Sequence, residues 1–178
     1  MRLFAVRLIA VFVIVLALSA CGGSSAPGVL IQSDIPSYLG VKVNPQLRSQ
    51  MLNELAPDHC QVSKTTVFNA PGVKVESNIG LLNNNPKGPE VSSSEVVCPS
   101  EVDAQGALAA YAKGWHARSI AGIEDEAVIG TLLPSQRNYI LGWRQGFDLG
   151  IIFIASSPTD KRITPALAEL LARRAAAG

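Results

Sequence analysis

Five residues carry the side chains best suited to covalent or metal chemistry in this 178-residue chain: Cys21, Cys60, Cys98, His59 and His116. Nucleophilic catalysis needs a Ser, Cys or Thr held against a base, and neither a G-x-S-x-G elbow nor a Ser-x-x-Lys set frames either histidine. His59 and Cys60 are adjacent, which is not the C-x-x-C spacing of a zinc site, so no metal ligands are expected. His116 lies beside Trp115 at the edge of an apolar helical stripe and suits a boundary residue. Glu124, Asp125 and Glu126 form the densest acidic run. Calcium loops place their acids at alternate positions around a glycine, and consecutive side chains do not converge on one ion. The expected role is a solvated turn. Trp143 and Phe147 in GWRQGFDLG offer rings to a sugar, but a hairpin with Gly146 in a left-handed turn accounts for the same residues. With no P-loop and no G-x-G-x-x-G, no nucleotide cofactor is expected.

Chemistry of another kind is written at the start. Arg2 and Arg7, with no acid nearby, precede eleven apolar residues, 8 to 18, and then small residues. That order describes a secretory signal peptide over residues 1–20. Only 13 uncharged residues separate Arg7 from Cys21, too few for a spanning helix of about 20. GGSSAPG, residues 22–28, has the composition of a flexible tether and reaches at most about 25 Å.

Leu18-Ser19-Ala20-Cys21 resembles the lipobox of bacterial lipoproteins. The resemblance implies that the Cys21 thiol receives a diacylglyceryl group and that a peptidase cuts before it, so that Cys21 becomes the mature N-terminus. Two acyl chains on one residue hold a protein on a membrane where a single chain binds reversibly. The expected location is the extracytoplasmic side of the cell membrane, with residues 21–28 as lipidated tether and 29–178 as a single domain. A looser likeness covers residues 101 to 175. The order ARSIAGIEDEAVIGTLL, NYILGWRQGFDLGIIFI, ALAELLARR is similar to the C-terminal halves of small actinobacterial lipoproteins of unknown function, which commonly carry Gly-Asp where this chain has Glu124-Asp125-Glu126.

Export places Cys60 and Cys98 where disulfides form and persist, so a Cys60–Cys98 bridge is expected. Closing a loop of that length stabilises by about 3–4 kcal/mol on the chain-entropy account. With Arg2 and Arg7 removed, 13 basic residues stand against 14 acids, a formal charge of −1. No basic excess points to nucleic acid.

The elements that position these residues follow from local signals. Asn44 and Pro45 open a short helix over about 45–55. KTTVFNAPG and VKVESNIGLL read as paired strands, residues 83 to 90 as a loop, and residues 94 to 98 as a short strand carrying Cys98. Ser100 with Asp103 makes a capping-box-like start to a helix of about 18 residues, with Leu108, Tyr111, Ala112 and Trp115 on one face. AVIGTLL, NYILGW and FDLGIIFIAS, joined by PSQR and RQG, predict an antiparallel meander. Thr164-Pro165 opens a closing helix with Leu167, Leu170 and Leu171 on one face and Arg173 and Arg174 near its end. The expected fold is α+β, a twisted antiparallel sheet with helices packed on one face. The expected function is a membrane-anchored envelope lipoprotein that acts as a binding or accessory module toward an unidentified envelope protein or lipid. Two alternatives stand beside it. One is a lipid or glycolipid carrier with an apolar pocket between sheet and helices; the other is a hydrolase with His59 or His116 in a cleft.

Overall fold

The computed structural model describes residues 28–44, 59–71, 88–132 and 137–178. The signal peptide, Cys21, nearly all of the tether, the helix expected over 45–55, the strand expected over 73–82, and most of the 83–90 loop and of PSQR lie outside the described residues. Among the described residues, seven strands form one open, wholly antiparallel sheet. They are β1 (Lys42–Val43), β2 (Gln61–Asn69), β3 (Glu90–Val97), β4 (Arg118–Ile120), β5 (Glu126–Gly130), β6 (Arg137–Gln145) and β7 (Asp148–Ser156). The α-helices are α1 (Glu101–Gly114) and α2 (Pro165–Ala176), and two single-turn 3-10 helices, Gln32–Asp34 and Ser37–Leu39, precede β1. The fold is α+β, with helices packed on an antiparallel sheet.

The strand order is β1-β2-β3-β7-β6-β5-β4. Two meanders are therefore joined in the middle: β1 to β3 step inward from one edge, and β4 to β7 step inward from the other. The chain leaves β3, crosses the sheet through α1 to the far edge, and returns strand by strand until β7 pairs with β3.

Both helix starts follow their caps. Ser100 Oγ accepts the Asp103 N–H at 3.2 Å and donates to the Asp103 carboxylate at 2.6 Å. Thr164 Oγ1 accepts the Leu167 N–H at 3.1 Å, ahead of Pro165 in the first turn. Each cap satisfies an N–H that the helix itself leaves unpaired. The end of α1 differs from expectation: it stops at Gly114, and residues 118–120 leave as edge strand β4. His116 takes a left-handed φ of 48°, and the Trp115 carbonyl accepts the Thr131 N–H at 3.0 Å, pinning the helix end to the end of β5. In α2, Leu167 and Leu171 are buried as expected but Leu170 is exposed, because about 300° of helical rotation from Leu167 carries it off the stripe.

Strand parity assigns each helix its own face. Leu149, Ile151, Phe153 and Ala155 of β7 pack with Leu108, Tyr111 and Trp115 of the α1 layer. Ile152 and Ile154 pack with Leu167, Ala168, Leu171 and Ala172 of α2, together with Leu30, Ile35, Leu39 and Val41 of the N-terminal segment. The sequence reading puts the helices on one face; the structure puts one on each, because successive side chains of a strand point to opposite sides and β7 is buried at all nine positions. Two glycines make room for the two tryptophans. A Cβ on Gly150 would lie 2.0 Å from the Trp143 ring on the α2 side, and one on Gly142 would lie 3.1 Å from both Leu108 and the Trp115 ring on the α1 side.

Gly150→Ala is expected to lower stability by about 1–3 kcal/mol or more through this overlap, seen as a lower urea midpoint at unchanged m-value. Combining it with Trp143→Leu should cost less than the sum of the two single changes, because the collision is then gone.

Candidate functional site

Cys60 and Cys98 form a disulfide. They flank the rung Gln61↔Val97, so the bridge closes one end of the β2–β3 pair. The sequence reading anticipates this feature, and both cysteines are buried against Val96 and the α1 layer.

The histidines are placed otherwise than a hydrolase requires. His59 and His116 are both exposed, and neither imidazole has a hydrogen-bond partner among the described residues. Trp143 is fully buried across Gly150, so it presents no ring to a sugar; Phe147 is exposed at the hairpin tip. The acidic run does more than face solvent. Asp125 Oδ2 accepts the Gly146 N–H at 2.9 Å and lies 3.4 Å from the Arg144 guanidinium, which also donates to the Gly146 carbonyl at 3.0 Å. Glu126 stands 3.9 Å from Arg144. The run is a clamp on the β6–β7 turn, whose Gly146 has a φ of 62°.

Polar chemistry that sequence patterning did not reveal lies within the sheet. On the α2 face the register aligns Lys64, Glu95, Gly150 and Trp143 on one rung and sets Asp148 opposite Gln145 on the next. Glu95, Asp148 and Gln145 are buried. Lys64 Nζ approaches Glu95 Oε2 to 3.3 Å, an ion pair without hydrogen-bond geometry. Burial, and then the charge of Glu95, push the Asp148 carboxyl above its ordinary range. Asp148 Oδ1, Gln145 Oε1 and Trp143 Nε1 have no hydrogen-bond partner among the described residues. No group of three or more His, Cys, Asp or Glu among the described residues is disposed to hold a metal ion.

A third buried acid lies on the α1 face at the opposite end of β3. Glu90 shares a rung with Asn69 and Ala155. Its Oε1 and the Asn69 Nδ2 are both without a partner among the described residues, and desolvation pushes its carboxyl up to about 7. No alternation signal separates such an acid from an exposed one, since β3 is buried by its two neighbouring strands as well as by its faces. These groups are enclosed, and they tune the fold rather than present a reacting atom to solvent. No protein-family profile matches the chain, and no curated protein matches it.

The raised Glu90 value has a definite sign. The folded state holds the proton more tightly than the unfolded chain, so the contribution is full below about 4.5 and is lost as pH rises through about 7. Unfolding free energy should therefore fall by up to about 3 kcal/mol between pH 5 and pH 8 from this group. Glu90→Gln should flatten that slope and raise stability at pH 8, as measured by urea titration at several pH values.

Proposed function

We propose that this chain is an extracytoplasmic lipoprotein, anchored through acyl chains on Cys21 and acting as a binding or accessory module of the cell envelope. The Cys60–Cys98 disulfide carries the reading: such bonds persist in exported proteins and are rare where thiols are kept reduced. Joined to it are the arginine-led apolar start and Leu18-Ser19-Ala20-Cys21. Among the described residues no helix is long and apolar enough to cross a membrane. The expected partner is an envelope protein or lipid bound at the surface. We adopt this reading over the carrier because, where the layers are described, indole rings and aliphatic side chains fill the space between helix and sheet at Gly142 and Gly150.

Mass analysis of the chain isolated from envelopes tests the proposal. The expected N-terminal peptide begins at Cys21 and carries a diacylglyceryl mass, and Cys21→Ala is expected to leave the chain uncleaved or to release it from membranes. An unmodified terminus, or one that begins elsewhere, overturns it.

A further inference from the structure

The structure brings the point of tethering and an unusual surface together. The first described residue, Gly28, donates its N–H to the Ala175 carbonyl at 2.9 Å, so the chain enters the fold beside the C-terminal end of α2. The segment that follows lies in the same layer as α2. Its Leu30, Ile35, Leu39 and Val41 share one core with that helix, Arg174 donates to the Asp34 carbonyl, and Arg162 donates to the Tyr38 carbonyl at 3.2 Å.

This layer turns large apolar side chains outward. Ile31 is 61% exposed and Tyr38 56%, each next in sequence to a buried leucine, and Val43 of β1 and Leu170 of α2 are exposed as well. Those four are most of the exposed large hydrophobics among the described residues; the other two are Val102 on α1, across the sheet, and Phe147 at the hairpin tip. The layer is also the basic part of the molecule. Residues 28–44 and 157–178 hold five basic and three acidic residues, whereas the rest of the chain after Cys21 holds eight and eleven. Arg173 and Arg174 engage the backbone carbonyls of Ala121, Gly122 and Asp34, and no carboxylate among the described residues forms an ion pair with either.

We propose that this outer surface, centred on Ile31 and Tyr38, rests on the anionic lipid headgroups of the membrane to which Cys21 is anchored, with α1 facing away. The inference rests on the anchored reading above and adds an orientation to it. The seven residue steps from Cys21 to Gly28 reach at most about 25 Å, so the layer entered at Gly28 is held next to the bilayer. Apolar and tyrosyl side chains among basic residues match the headgroup boundary, where aromatic rings with a polar tip settle and cations meet anionic lipid.

Cys21 is the only cysteine outside the disulfide, which permits a test that does not depend on native lipidation. The chain beginning at Cys21 is coupled through that thiol to a maleimide lipid in vesicles of phosphatidylglycerol and dibrominated phosphatidylcholine. Tyr38→Trp and Val102→Trp each add one indole on opposite layers, read against the emission of the buried Trp115 and Trp143. The expected result is that bromine quenches the emission added by Tyr38→Trp at least about twofold more strongly than the emission added by Val102→Trp, and less so in phosphatidylcholine alone. Equal quenching, stronger quenching at position 102, or none at either site overturns the orientation. Failure of the anchor itself would show separately, in the mass of the native N-terminus.

Discussion

The β3–β7 ladder is the joint on which the molecule depends. Eight registered pairs, from Glu90↔Ala155 to Val97↔Asp148, join two meanders that would otherwise be separate sheets. Closing that joint requires the chain to travel through α1 to the far edge and back, so its closure costs more loop entropy than any of the hairpins. Once closed, it makes β7 the central strand, flanked by β3 and β6 and covered by a helix on either face. Each helix then has a buried surface to pack on, which neither would have alone.

A central strand covered on both faces demands thin places where the covering layers come close. Gly142 and Gly150 supply them on neighbouring strands and opposite faces, each under an indole ring. The tryptophans in turn close the interlayer space, and Tyr111 stacks on Trp115 with ring centroids 4.8 Å apart, within the range where aromatic pairs add to simple burial. The same demand encloses the polar side chains of β3. Ser92, Ser93, Ser94, Glu90 and Glu95 are all buried, and only part of their hydrogen bonding is met: Ser93 Oγ accepts the Leu30 N–H at 3.1 Å and Ser94 Oγ meets Thr65 Oγ1 at 2.9 Å. The disulfide at one end of the β2–β3 pair offsets part of that cost by limiting the unfolded chain.

Charge is placed with the layers. The Asp160 carboxylate, half-buried beside Ser156 and bonded to Arg162 at 2.8 Å and 2.9 Å, is held well below the usual carboxylate range by that guanidinium. Its arginine reaches on to the carbonyls of Tyr38 and Leu39. The connection after β7 and the N-terminal segment are thereby tied into one surface, which explains how a short extended segment with only two single-turn helices keeps a fixed position over the sheet.

What the sequence alone determined were the features governed by neighbours along the chain. Ser100 and Thr164 with Pro165 announced both helix starts, Gly146 announced the β6–β7 turn, and the pair Cys60 and Cys98 announced its bridge, because caps, turns and the export signal act within a few residues or through composition. Tertiary structure alone decided the rest. FDLGIIFIAS is apolar at both parities, so no alternation could say which helix lies over which face; that choice belongs to partners distant in sequence. The sequence reading ended a loop at Glu90 and began a short strand only near residue 94, whereas pairing with β2 and β7 carries β3 from Glu90 to Val97 and encloses its serines and acids; the early end of α1 was set by the Trp115 carbonyl meeting the end of β5. Burial is a property of what arrives from elsewhere in the chain, and local pattern carries no record of it.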